Sequence, residues 1–359
     1  MTETKTRKVS SGGTAAGGGT GRLDAFTREQ LHHFLREMLL YRRFEEKAEE
    51  AYAIGKIGGF CHLHIGQEAV ALGLVGPLRK DDYVLTSYRD HTQALAKGAS
   101  PGAVMAELYG RAGGSVGGKG GSMHIFDVDV GFMGGHGIVG GQIPLAAGLG
   151  WAIRYRGTDQ VCVCFMGDAA VNQGAFWESL NLAAIWKLPV IFVVENNEYG
   201  MGTAFRRVSA LPVVDRAEGT GVPAHQVDGQ DIIATWTLMS ELAADVRAGA
   251  GPQYVDARTY RFKGHSMSDP VSGTYRSKEE VEMKKEKEDP IGVLRDRLFR
   301  ADLLTEDELQ AMDQEVRQVV DEAARFADES PLPDPAELYT QVYAEINEHG
   351  RLFLDGRDR

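Results

Sequence analysis

The hydrophobic positions of this chain follow two rhythms. Between Thr27 and about Ile54, Leu31, Phe34, Leu35, Met38, Leu39 and Phe44 recur at helical spacing with charges between them, which predicts an amphipathic helix. A glycine-flanked loop, GKIGGFCHLHIG, follows, and a second helix is predicted from about Gln67 through AVALGLV. DDYVLTSYRDH reads as a strand ending in polar residues, and PGAVMAELYG as a helix leading into a long glycine-rich loop over residues 110–141. After that, helices and apolar strands alternate. PLAAGLGWAIRY precedes VCVCFM, QGAFWESLNLAAIWKL precedes PVIFVVE, and DIIATWTLMSELAADVRAG precedes QYVDARTYRF. Continuous apolar strands between helices predict an α/β fold, a parallel sheet with helices on both faces.

Two helices depart from this rhythm. The one over residues 174–188 is apolar nearly all round, with Phe176, Trp177, Leu180, Leu182, Ile185 and Trp186. A helix apolar on every side is covered on every side, and its aromatic content predicts that a second chain covers the outer face. Near the end, Thr305 and Glu308 make a capping box before ELQAMDQEVRQVVDEAARFA, a charged amphipathic helix stopped by SPLPDP. The expected organisation is a disordered tail over 1–24, rich in glycine and without an apolar core, then an α/β domain over 25–300 and a helical C-terminal extension over 301–359.

Composition narrows the class. The net charge of −12 argues against a basic nucleic-acid face and against a polybasic membrane patch. No stretch approaches the ~18 apolar residues of a membrane span. The three cysteines, Cys61, Cys162 and Cys164, are few and odd in number, as expected of a reducing compartment. Cys162 and Cys164 lie two apart on a predicted strand and so share a face as small hydrophobes.

Two glycine motifs need weighing. GGSVGGKG, Gly113 to Gly120, nearly spells a phosphate loop, but Gly120 stands where the metal-binding hydroxyl belongs and the preceding segment reads as a helix rather than a strand. GHGIVG, Gly135 to Gly140, matches G-x-G-x-x-G but follows no apolar strand. A backbone that must approach a flat or phosphorylated ligand is the better account of both, and a loop this long is usually functional.

Asp168 ends one predicted strand, and Asn196 and Asn197 end the next. Ligands of open parallel sheets bind beyond the carboxyl ends of the strands. A carboxylate and an amide oxygen are hard donors suited to Mg2+ with substrate phosphates, and small Ala169 and Ala170 leave backbone N–H groups open to a phosphate. The same residues also fit a plainer role, Asp168 capping a helix and the asparagines forming a turn.

Longer stretches go further. GFCHLHIGQEA, SYRDH, GGKGGSMHIF, GHGIVGGQIPLAAG, GDAAVNQG, NLAAIWKLPVIFVVENNEYGMGT and TYRFKGHSMSDP occur in order, and from about residue 30 to 345 the chain resembles the alpha subunits of the thiamine diphosphate-dependent 2-oxo acid dehydrogenases, the pyruvate type above all. The resemblance implies that Mg2+ is held by the Asp168 carboxylate, the Asn197 side-chain oxygen and the Tyr199 carbonyl, with Asn196 supporting the turn. It implies that Tyr88 and Arg89 face thiamine diphosphate, Arg89 with a guanidinium fork suited to the diphosphate, and that Gly137 and Val139 line its aminopyrimidine side. His62 and His265 match histidines near the substrate that move protons, His265 also lying against the cofactor, while His91 and His124 carry positional roles. Ala169 departs from the usual glycine of the family's G-D-G triplet, and its Cβ restricts φ > 0.

The implied reaction is decarboxylation of pyruvate and transfer of its acetyl group to the lipoyl domain of a dihydrolipoyl acyltransferase. The implied assembly is an α2β2 heterotetramer whose beta subunit supplies the carboxylate facing the aminopyrimidine, in the cytoplasm of a bacterium rather than a mitochondrial matrix. Two alternatives stay open: a relative acting on branched-chain 2-oxo acids or acetoin, and a catalytically silent regulatory subunit. In mitochondrial relatives the serine matching Ser266 is phosphorylated, and negative charge beside a site for an anionic substrate repels it. Ser266→Glu is therefore expected to abolish overall activity with the fold intact by circular dichroism; full activity with normal substrate affinity would contradict this.

Overall fold

A computed structural model of the chain describes residues 22–339; most of the expected tail and the last part of the C-terminal segment lie outside them. In chain order the elements are α1 (Arg28–Ala53), α2 (Glu68–Val75), β1 (Tyr83–Ser87), α3 (His91–Lys97), α4 (Pro101–Leu108), β2 (Phe132–His136), α5 (Gln142–Arg156) and β3 (Cys162–Gly167). There follow α6 (Gly174–Trp186), β4 (Val190–Asn196), the short pair β5 (Tyr199–Gly200) and β6 (Thr203–Ala204), α7 (Val213–Glu218), β7 (Ala224–Asp228), α8 (Ile232–Arg247) and β8 (Gln253–Arg258). Three helices close the described chain: α9 (Lys278–Glu288), α10 (Pro290–Arg300) and α11 (Glu306–Glu329).

Six strands form one sheet in the order β2-β1-β3-β4-β8-β7, and every neighbouring pair is parallel. The alternation of strand side chains divides the core into two layers. Val163, Phe165, Ile191 and Val193 point into a cluster with residues of α1 to α4, α8, α10 and α11. Cys162, Cys164, Met166, Phe192 and Val194 point the other way, against α5 and α6. Both faces are thus covered, as the apolar strand runs require, and Cys162 and Cys164 do share a face.

Some elements escaped the hydrophobic pattern. The glycine-rich stretch 110–141 is not all loop: it holds β2, an edge strand of sequence FMGGH whose glycines hide it from an apolar count. GHGIVG therefore begins inside a strand and leads to α5, correcting the expectation that it follows none. At the opposite edge β7, AHQVD, is largely polar and shows only one fully buried side chain. The segment QYVDARTYRF leaves the sheet after Arg258; Thr259 N still donates to Asn196 O at 3.0 Å before the chain turns.

The predicted α11 is present with its capping box, Glu308 N donating to Thr305 Oγ1 at 3.3 Å and Thr305 N to Glu308 Oε2 at 2.9 Å. Its Val316, Val320, Ala323 and Ala327 are buried and join the same core layer as α1 and α4. Helix α6 buries only Phe176, Ser179, Leu180 and Ala183. Its Leu182, Ile185 and Trp186 stay exposed, beside Leu145, Trp151 and Tyr155 of α5.

Where α2 crosses α8, Gly73 leaves no room for a side chain: a Cβ there would lie 2.6 Å from Thr235 Cβ and 3.1 Å from Trp236 N. Gly73→Ala is expected to cost about 1–3 kcal/mol through overpacking, read as a lower denaturation midpoint; an unchanged midpoint would contradict this close approach.

Candidate active site

The strand order reverses between β1 and β3, because the chain runs outward from β1 to β2 and then returns to the other side of β1. Such switch points open a crevice beyond the carboxyl ends of the strands. A cavity of about 570 Å³ lies there. Ser87 ends β1 and Tyr88 and Arg89 follow it, Gly137 and Val139 follow β2, Gly167 ends β3 and Asp168 to Ala170 follow it, Asn197 and Tyr199 follow β4, and Arg261 and His265 follow β8. Every site residue expected from the sequence lines this one cavity: His62, Tyr88, Arg89, Gly137, Val139, Asp168, Ala169, Ala170, Asn197, Tyr199 and His265.

Asp168 is 1% exposed, and its Oδ2 has no hydrogen-bond partner. Its side chain caps no helix. Burial pushes this carboxyl up to about 7. Between its unfolded value and about 7 the folded state holds a proton that the unfolded chain has released, so this group costs more stability as pH rises through that window. A cation at Oδ2 relieves that cost. Asn197 stands on the neighbouring strand end. Its Nδ2 donates to Gln67 Oε1 at 3.1 Å, while its Oδ1 accepts only a long 3.4 Å bond from Tyr199 N and keeps a lone pair. Asn196 Nδ2 instead donates to Asp256 Oδ1 at 2.9 Å, a bond that steadies the strand end. Around Tyr199 the backbone turns sharply, with Glu198 at φ 69° and Met201 at φ 54°, conformations that persist where the surroundings impose them. Among the described residues no three His, Cys, Asp or Glu side chains gather into a metal cage. The donor set is one carboxylate with neutral oxygens, which suits Mg2+ completed by water and phosphate.

Ala169 is accommodated without strain, since it is not among the residues with positive φ. Its methyl instead abuts Gly200, where an added Cβ would come 2.5 Å from it. Glycine at 200 makes room for alanine at 169.

The second half of the site is an aromatic and cationic cluster. The rings of His62 and Tyr88 lie 4.6 Å apart, His62 and His265 5.2 Å, and Tyr88 and His265 5.7 Å. Arg89 is buried and donates to Leu63 O and, at 2.7 Å, to His265 O, so two of its nitrogens tie the two histidine-bearing loops together. His265 N donates to Asp269 Oδ2 at 2.7 Å, and Tyr275 OH donates to the same oxygen at 2.5 Å. Ser266 is buried, with its Oγ 2.9 Å from Ser268 Oγ. Buried Glu195 holds His64 Nε2 at 2.8 Å and accepts from Gln93 Nε2 at 2.7 Å. His91 and His124 do not line the cavity; they bind Glu45 and Gly135 O behind it.

Sequence reasoning missed Arg261. It is 1% exposed, lines the cavity, and its Nη1 has no partner. It stands in the quoted TYRFKGH motif, three residues past β8, and the signal that finds it is the strand end beneath it rather than its own neighbours. Glu195 and Gln142 were missed too: Glu195 ends an apolar run, in register with Gly167, and Gln142 opens α5 with its Nε2 donating to Phe165 O at 2.8 Å.

Burial pushes His62 down to about 2 and His265 down to about 4, with Arg89 adding to both. Both rings are neutral at pH 7. His62 Nδ1 is buried without a partner.

The chain belongs to the dehydrogenase E1 component family, whose signature spans residues 36–336. The family depends on thiamine diphosphate. Among named relatives, the chain is 49% identical over 350 residues to the pyruvate dehydrogenase E1 component subunit alpha of Rhizobium meliloti (strain 1021), covering 95% of this chain and 99% of that one. It is 49% identical over 317 residues to the protein of the same name in Zymomonas mobilis subsp. mobilis, covering 88% and 89%. It is 44% identical over 319 residues to the mitochondrial pyruvate dehydrogenase E1 component subunit alpha-1 of Oryza sativa subsp. japonica, covering 89% and 81%.

The neutral histidines set an acid limit. Unfolded, each takes a proton near pH 6.5; folded, neither does until about 4 or below. In that window the unfolded chain binds more protons, so their contribution is complete above about pH 6.5 and is lost as pH falls. The buried aspartates act in the opposite sense but equally in any His62 variant. Between pH 7 and 5 the denaturation midpoint of wild type is expected to fall more steeply than that of His62→Gln; parallel slopes would contradict this.

Proposed function

We propose that this chain is the alpha subunit of a pyruvate dehydrogenase E1 component, acting on pyruvate with thiamine diphosphate and Mg2+ and passing the acetyl group to the lipoyl group of a dihydrolipoyl acyltransferase. The observation that carries the reading is the buried Asp168 carboxylate, its Oδ2 without a partner, at the strand end neighbouring the one that carries the Asn197 amide. Asp168, Asn197 and the Tyr199 carbonyl would hold Mg2+. The backbone of Ala169 and Ala170 would receive the diphosphate, and Gly137 and Val139 the aminopyrimidine. When bound, thiamine diphosphate supplies the nucleophile and the electron sink that decarboxylation of a 2-oxo acid requires.

The chain's own residues then have distinct tasks. The Arg261 guanidinium, buried at the cavity wall, attracts the carboxylate of the substrate. Tyr88 and the neutral rings of His62 and His265 narrow the cavity and exclude water. His62, neutral at pH 7 with its ring 5.2 Å from that of His265, is placed at the cavity to hydrogen-bond the substrate oxygen. Arg89, through its two carbonyl bonds, fixes how the histidines face each other.

The cavity is open on one side. Phe60 and Met201 line it and remain 62% and 61% exposed, and Ile138 nearby is 79% exposed. Together with the apolar outer faces of α5 and α6, these residues support a beta subunit that completes the site in an α2β2 heterotetramer. Named relatives favour pyruvate over branched-chain 2-oxo acids or acetoin, and the relaxed backbone at Ala169 removes the reason for a silent subunit.

The test uses the chain purified with its beta partner. Asp168→Asn keeps the shape and removes the charge, and it is expected to weaken thiamine diphosphate binding in Mg2+ on the order of 100-fold by calorimetry, with the secondary structure unchanged. With a dye acceptor, wild type is expected to turn over pyruvate in preference to 3-methyl-2-oxobutanoate. Unchanged cofactor affinity in Asp168→Asn, or a preference for the branched substrate, would overturn the corresponding part of the reading.

A further inference from the structure

The phosphate-loop look-alike folds round an anion, and the anion is the chain's own. Glu107, near the end of α4, is wholly buried. Its Oε2 accepts from Val116 N at 2.9 Å and Gly118 N at 2.8 Å, and its Oε1 from Gly120 N at 2.6 Å and Gly121 N at 3.2 Å. Backbone N–H groups converging in this way form an anion-binding concavity. The fit is close: a Cβ at Gly114 would lie 2.7 Å from Glu107 Cα and 2.8 Å from its N. The motif GGSVGGKG thus has the backbone of an anion cradle without a bound phosphate, because a carboxylate from the preceding helix fills it.

The loop so folded delivers the next residues to the site. Ser122 Oγ accepts from His62 N at 3.2 Å and meets His91 Nε2 at 2.8 Å, and His91 Nδ1 meets Glu45 Oε2 at 2.8 Å. Met123 lines the cavity, and Glu107 does not. A continuous run of bonded residues therefore joins the cradle to the backbone of His62.

We propose that Glu107 is a positioning residue: as the built-in occupant of an anion cradle, it folds residues 113–121 and so sets Ser122 against His62. Removing its side chain leaves converging N–H groups that a small carboxylate can fill. Keeping the carboxylate while blocking the cradle wall at Gly114 loosens the same loop with nothing for such an ion to replace.

Exposed Lys119 lies within the loop and offers a trypsin site. In the full-length chain purified with its beta partner, Glu107→Ala is expected to speed cleavage after Lys119 about tenfold or more, since proteolysis tracks the open population. On the order of 50 mM formate is expected to slow it again by occupying the cradle, with kcat recovering in parallel, while equal chloride does neither. Gly114→Ala is expected to show faster cleavage without formate rescue. If Glu107→Ala does not accumulate as folded protein, Glu107→Gln, which retains one acceptor oxygen, is expected to show the faster cleavage. Wild-type cleavage rates in the Glu107 variant, or formate acting equally on Glu107→Ala and Gly114→Ala, would overturn the proposal. The cleavage assay needs no substrate or cofactor, so its outcome is independent of the reaction assigned above.

Discussion

A carboxylate held in the dark at the tip of a strand is the constraint from which the rest of the site follows. Asp168 is buried, and one of its oxygens has no partner in the chain. An isolated buried charge is costly enough that the group gives up its charge unless a counter-ion arrives, and its rise toward about 7 records that tension. The fold could have relieved it with a nearby lysine or an extra backbone N–H. Instead, the neighbouring strand end offers another oxygen, from Asn197, with its nitrogen occupied elsewhere. Two oxygen donors facing a cavity make sense together with a hard cation and make a poor site without one.

The parallel sheet explains why these donors meet. Gly167 is in register with Glu195, and Asn196 with Arg258, so β3, β4 and β8 end at one level. The reversal between β1 and β3 parts the helices that would otherwise cover that rim. Cationic and aromatic groups arrive from the same rim: Arg89 after β1 and Arg261 and His265 after β8. The glycine loop leads into Met123 on the cavity wall, and its shape comes from Glu107 rather than from a ligand.

Much of this was legible in the sequence. Strands Cys162–Gly167 and Val190–Asn196 carry the continuous apolar runs CVCFM and VIFVV, and such runs announce themselves as buried parallel strands. Asp168 and Asn197 were readable because polar residues at the ends of those runs have one natural destination. The edges were not legible: β2 is built on glycine and β7 on polar residues, because an edge strand has one ladder to make and fewer side chains to bury. The state of the histidines was also hidden. His62 and His265 titrate near neutrality in isolation, and only their burial beside Arg89 and Arg261 shows that they are held neutral. Arg89 shows the same limit: a guanidinium fork suits a diphosphate, yet in the fold two of its nitrogens meet backbone carbonyls.

The most direct test replaces Mg2+ with Mn2+ in crystals of the chain with its partner subunit and thiamine diphosphate, and collects anomalous scattering at the manganese edge. The account predicts a single strong peak within coordination distance of Asp168 Oδ2 and Asn197 Oδ1. A manganese peak elsewhere, or an Asp168 carboxyl turned away onto its own backbone with the coenzyme bound, would contradict it.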